Sequence, residues 1–150
     1  MSIDSPTQAI KLAELKSLIE AHDKTIRIGK PGVDSSGQEI TDQTKSIYFT
    51  LEEIEKLTDF LNQDPLYKDI PKTEKGVKIY LGCYTEEIAK RYYPDHEKYV
   101  GKTTVALITA LGKKGGQVKD ILPQELEGED EDKQRKPPVE NVGTLCPPNC

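Results

Sequence analysis

Apolar residues recur along this chain at two spacings, and the change from one to the other marks out its elements. Leu12, Leu15, Ile19 and His22 follow one another at steps of three and four, with Ile10 and Leu18 flanking them, the period of an amphipathic helix. Ser5-Pro6-Thr7-Gln8 ahead of them has the chemistry of a helix start: a capping serine, a proline whose missing N–H costs nothing at the first position, and a glutamine able to reach back to the cap. Leu51, Ile54, Leu57 and Leu61 repeat the pattern behind the capping box Thr50-Leu51-Glu52-Glu53, which predicts a helix to about Asn62. A short third helix is expected behind Thr85, with Ile88, Ala89, Tyr92 and Tyr93 turned inward and Pro94 ending it.

Elsewhere the period is two. After Gly76, Val77, Ile79, Leu81 and Cys83 alternate with Lys78, Tyr80, Gly82 and Tyr84, the signature of a half-buried strand. The aliphatic row is the one expected in the core, which turns Lys78, Tyr80 and Tyr84 outward. Thr103 to Leu111 is apolar on both faces and suits a central strand covered on each side, with Gly115-Gly116 as the turn after it. Thr25 to Ile28 and Ser46 to Phe49 are expected as short strands separated by the turn chemistry of Pro31 to Gly37. The order helix, strand, strand, helix, strand, helix, strand predicts an α+β fold, a small antiparallel or mixed sheet packed with about three helices.

Charge locates the end of that domain. Residues 125–140 carry seven acids against Lys133, Arg135 and Lys136, a local net of −4 out of −5 for the 150-residue chain. The remainder is close to neutral. A single α+β domain is therefore expected over 1–124, followed at 125–150 by an acidic linker and a short Cys-Pro-Pro-Asn-Cys tail. Pro147-Pro148 stiffens that ending and lowers the entropy lost when it docks. An acidic balance disfavours nucleic acid and anionic membrane surfaces as partners. No apolar run approaches the ~18 residues of a membrane span, and the first residues lack the basic and apolar regions of a signal peptide, so a soluble, cytoplasmic protein is expected.

Candidate chemistry is sparse. Gly101-Lys102-Thr103-Thr104 copies the end of a phosphate-binding loop, but His96 stands where its leading glycine belongs and the fragment precedes a strand, not a helix. Three cysteines, Cys83, Cys146 and Cys150, with a histidine would meet the tetrahedral demand of zinc. The terminal pair has Cys-x3-Cys spacing, unlike the usual Cys-x2-Cys, and Cys83 falls on the expected core face, where a buried thiol only packs. The pair is equally suited to a short disulfide loop or to small apolar contacts. His22 closes a helix stripe as a core histidine, and His96 lies in the loop Tyr93-Pro94-Asp95-His96-Glu97.

Ser46-Ile47-Tyr48-Phe49-Thr50 with Glu52, Glu53 and Ile54, the strand Gly76 to Tyr84, the strand from Thr103, and the ending Asn141 to Cys150 resemble a group of small uncharacterised bacterial proteins. That group shares a Gly-[Ile/Val]-[Arg/Lys]-Ile-Tyr strand and a Cys-Pro-Pro-x-Cys terminus. The resemblance covers roughly residues 46–111 and the last ten, and implies no activity.

The expectation is a non-enzymatic binding protein with a protein partner, engaged through Tyr80, Tyr84 and Lys78, because tyrosine gives large contact area at low entropy cost. The alternative is a zinc-binding or thiol-redox protein using Cys146 and Cys150, with Cys83 as a further metal ligand. A weaker one is an enzyme with a site at the Tyr80/Tyr84 face and His96.

Overall fold

The structure, a computed structural model, describes residues 10–122, 138–140 and 143–149. In chain order its helices and strands are α1 (Leu12–Lys24), β1 (Ser46–Tyr48), α2 (Leu51–Gln63), β2 (Lys75–Cys83), α3 (Glu86–Tyr92), β3 (Thr103–Gly112), β4 (Val118–Ile121), β5 (Val139–Glu140) and β6 (Thr144–Cys146). The fold is α+β.

The helices start where local hydrogen bonding replaces the missing intrahelical partners. Thr50 and Glu53 form the capping box of α2: the Glu53 N–H donates to Thr50 Oγ1 at 3.1 Å, and the Thr50 N–H donates to Glu53 Oε1 at 2.7 Å. Thr85 Oγ1 accepts the Ile88 N–H at the start of α3. Helix α1 begins later than the Ser5-Pro6 signal, which lies outside the described residues. Extended Lys11 precedes it and donates its N–H to the Glu14 carboxylate at 2.9 Å.

The segment Thr25 to Ile28, expected as a strand, is a tight 3-10 turn that closes α1. Thr25 Oγ1 donates back to the Ala21 carbonyl, and the Ile28 and Gly29 N–H groups bond three residues back. The Thr25 and Ile26 carbonyls are thus spent within the turn, where a strand would offer them to a neighbour. Gly29, at φ +85, then turns the chain in the left-handed region.

Strand β3 occupies the middle of a four-stranded antiparallel sheet, as its two apolar faces require. Strand β2 pairs with its whole length on one side, in the register Tyr80 to Ala106, and β4 and β5 pair with it on the other. A second, two-stranded ribbon joins β1 to β6, with Ile47 opposite Leu145.

One sheet face holds the main core, where Leu15 and Leu18 of α1 and Ile88 and Ala89 of α3 meet Tyr84, Ala106 and Ile108. Helix α2 lies against the other face, fixed there by Lys75 of β2. The Lys75 Nζ donates to the carbonyls of Leu61 and Tyr67 at 3.0 Å and of Lys68 at 3.3 Å. An ammonium so placed satisfies orphan carbonyls and favours the negative end of the helix.

The chain beyond residue 124 also reaches this core. Val139 and Leu145 are fully buried, and the Ile10 N–H donates to the Val139 carbonyl at 3.1 Å. Burial of side chains this size is worth about 1.5–3 kcal/mol each. A boundary drawn from the acidic run therefore divides the sequence but not the packing.

From Val77 to Leu81 the orientation of β2 is the reverse of the one expected, while Cys83 at its end is buried as expected. Tyr84 is buried, Tyr80 is packed against the core, and Lys78 lies on the same side, whereas Val77, Ile79 and Leu81 are 39, 58 and 53% exposed. The reason is steric and electrostatic. Gly82 shares the inward row, and only a residue without a side chain lets α1 approach: a Cβ there would stand 2.9 Å from Leu18 Cβ. Lys78 is tolerated beside the core because Asp120 neutralises it.

Candidate functional site

Strand β2 is the edge of its sheet, and among the described residues no strand pairs with its outer side. Which backbone groups that side presents follows from its neighbours. The Tyr84 N–H donates to the Lys102 carbonyl and the Tyr84 carbonyl accepts the Gly101 N–H, so Tyr84 bonds inward. Antiparallel pairing alternates, so Gly82, Tyr80 and Lys78 also bond inward, while Leu81, Ile79 and Val77 direct N–H and C=O to the open edge. The Ile10 bond to the Val139 carbonyl agrees, since it turns that carbonyl away from Ile108 and leaves Ile108 to bond Lys78.

Among the described residues, the same three thus combine exposed aliphatic side chains with backbone groups that no strand pairs. Natural edge strands are usually guarded by charge, most often lysine. This strand has two lysines, and both are occupied. Lys75 caps α2, and the Lys78 Nζ lies 2.9 Å from Asp120 Oδ1, 3.2 Å from the Tyr80 hydroxyl and 4.7 Å from the centre of its ring. The Tyr80 hydroxyl donates to the other Asp120 oxygen. Asp120 and then Tyr80 raise the Lys78 pKa, and the bond to Asp120, with burial, raises that of the Tyr80 phenol. Both groups keep their protons at neutral pH, so the triad is a neutralising clamp and not a proton-transfer pair.

Two open clefts flank the Val77 end. One, of about 350 Å³, runs between α2 and β2 past Thr58, Leu61, Lys72 and Val77. The other, of about 300 Å³, crosses the sheet end past Thr73, Lys78, Lys113, Lys114 and Val118. Together they extend the exposed apolar row toward a lysine-rich rim.

Tyr84 is the centre of an aromatic cluster. The rings of Tyr93 and Tyr99 stack at 3.7 Å, and Tyr84 meets both edge-on at 5.6 and 6.3 Å. Tyr93 donates to the Gly143 carbonyl and the Asn149 side chain donates to the Tyr99 hydroxyl, so the cluster ties the tail to the domain. Burial pushes the phenol pKa values of Tyr93 and Tyr99 up. Of the three residues expected at a partner surface, Tyr84 presents no surface, and Lys78 and Tyr80 face away from the exposed row.

Among the described residues, Cys83 and Cys146 are not brought together in a metal-holding group. Cys83 is a buried free thiol whose pKa is raised by burial, which disfavours the thiolate zinc needs. Cys146 is disulfide-bonded. Cys150 lies outside the described residues, among which no three His, Cys, Asp or Glu side chains are placed to hold a metal ion. His22 is buried in α1, and His96 Nε2 lies 3.8 Å from the neighbouring Glu97 carboxylate. Gly101 and Lys102 form no phosphate loop: Gly101 packs against the Val33 carbonyl, and buried Lys102 donates to the Asp42 carbonyl at 2.7 Å.

Sequence reasoning passed over Val77, Ile79 and Leu81 as surface residues. Gly82 was the available signal, because glycine inside a strand marks the face that something approaches closely. Among the described residues no helix is long and apolar enough to cross a membrane. Comparison of the chain with models of known families, with curated proteins and with solved structures finds no match.

Proposed function

We propose that the protein is a binding module that engages another polypeptide by strand addition at the outer edge of β2. The observation that supports this reading is the coincidence, at Val77, Ile79 and Leu81, of exposed aliphatic side chains with edge-directed backbone groups, on a strand whose two lysines are both neutralised. Main-chain bonds supply affinity in such pairing, and pockets for alternate side chains supply selectivity. The partner is a protein, not nucleic acid or membrane, in keeping with the net charge of −5, and the setting is cytoplasmic.

The test is affinity capture from lysate by the intact chain and by Ile79→Lys, with melting temperatures measured in parallel. Strand addition requires specific capture by the wild type, lost in the variant without loss of stability. Capture indifferent to Ile79→Lys places binding elsewhere.

One observation favours a second reading, thiol–disulfide exchange at the tail: the Cys146 sulfur is in a disulfide. A cytoplasmic disulfide is usually transient and functional. Titration against glutathione redox buffers tests this, since an exchange role requires a potential within the cytosolic range and a structural bond one far below it.

A further inference from the structure

Resting on the strand-addition reading, we infer that the strand received by the β2 edge is β2 of a second copy of this chain, paired antiparallel about a two-fold axis through Ile79. The sequence of the strand is self-complementary about that residue. Reflection through Ile79 brings Gly76 opposite Gly82, Val77 opposite Leu81 and Lys78 opposite Tyr80, so glycine meets glycine, aliphatic meets aliphatic and a cation meets an aromatic ring. A two-fold interface demands this property, because one patch must fit itself.

The hydrogen-bonding parity agrees with the same centre. Val77, Ile79 and Leu81 direct their backbone groups outward, and a two-fold at Ile79 matches these residues with one another as bonded pairs, about six hydrogen bonds in an antiparallel ladder. A centre at Lys78 or Tyr80 keeps the parity, but it breaks the matching of glycine with glycine.

Side chains then sort by face. On the face shared with α2, Val77, Ile79 and Leu81 of the two copies form one continuous row of six aliphatic residues. On the other face, Lys78 of each copy meets Tyr80 of the other across a close, non-bonded pair, and no like charges are opposed because each Lys78 keeps its Asp120. Leu18 rests on Gly82, and antiparallel pairing about Ile79 places that contact at opposite ends of the two paired strands.

Sedimentation equilibrium of the full chain over a concentration series tests the inference, with Ile79→Lys, Leu81→Lys, Ile79→Cys and Val77→Cys beside the wild type. The wild type is expected to approach twice its 16.8 kDa mass. Ile79→Lys opposes two ammonium groups on the axis and raises the dimer dissociation constant at least about tenfold. Leu81→Lys does the same, should Ile79→Lys alter the melting temperature. Under mild oxidation Ile79→Cys forms a covalent dimer, because paired Cα atoms lie within disulfide reach, whereas Val77→Cys forms one only when mixed with Leu81→Cys. A wild type monomeric at every concentration overturns the inference, as does a dimer indifferent to both lysines and unlinked at position 79. If that monomer still captures another polypeptide in an Ile79→Lys-sensitive way, strand addition stands and only self-pairing fails; if capture is also insensitive, strand addition itself fails.

Discussion

Leu18 of α1 sits directly over Gly82 of β2, so close that a Cβ on the glycine would stand 2.9 Å from Leu18 Cβ and 3.3 Å from the helix backbone. That contact sets which face of β2 is inside. Gly82→Ala is expected to push α1 off the sheet and cost about 1–3 kcal/mol, as overpacking of a filled core does. Gly76→Ala on the same strand meets nothing within 4 Å and serves as the control. Denaturant unfolding of both variants checks the difference, and equal stabilities would show that the helix yields freely.

Tyr84→Ala removes the hub of the aromatic cluster and is expected to cost about 3–5 kcal/mol, the range for a large buried ring. Ile79→Ala, on an exposed side chain, should fall within about 1 kcal/mol of wild type. Thermal melts of the pair distinguish the inward row from the outward one. The reverse ranking would restore the orientation expected from the alternation alone.

Glu14 is buried between α1 and α3, where it accepts the Tyr92 hydroxyl, the Lys11 N–H and the Arg91 guanidinium. Burial alone would raise its pKa, but those donors, Tyr92 foremost, hold it below the ordinary 4.5. A depressed carboxylate stabilises the fold fully above 4.5 and loses that contribution as pH falls through the lower folded value. Glu14→Gln should therefore be less stable than wild type at pH 7, and the gap should close as the solution is acidified below pH 4.5. Unfolding free energies over a pH series check this, and a gap constant with pH would mean that the charge contributes nothing.

Leu145→Ala is expected to cost about 2–5 kcal/mol, because the side chain is fully buried although it follows the acidic run. Thr144→Ala, exposed beside it, should be nearly silent. Calorimetry on both reports whether the tail belongs to the cooperative unit; two silent substitutions would return it to the status of an appendage.

Much of the fold was legible because it is written locally. Thr50 with Glu53 and Thr85 with Ile88 announce helix starts through bonds that span three residues, and the two apolar faces of β3 require a central position whatever surrounds it. The orientation of β2 was not legible in the same way. Its alternation separates two rows, but which row enters the core is decided by Leu18 finding room at Gly82 and by Asp120 reaching Lys78 from 42 residues away. The candidate site inherits that reversal, since the same choice leaves Val77, Ile79 and Leu81 outside. A docking tail was legible from Pro147-Pro148, but Val139 and the place where Leu145 docks were not, because their partners in β3 and β1 are remote and charge composition reports solvation and not packing.

The pairing of β1 with β6 joins Ser46 to Cys146 across most of the chain. A ribosome must therefore synthesise through Cys146 before Ile47 meets Leu145, although α1, α2 and the β2–β3 pair have emerged well before. During that interval the nascent domain lacks Val139 and Leu145, and the core they fill stands open. Closing so long a loop is slow, and slow closure lengthens the exposure of that core. On this account, chaperone demand and inclusion-body formation should respond more to substitutions at Val139 and Leu145 than to equally destabilising ones in α2.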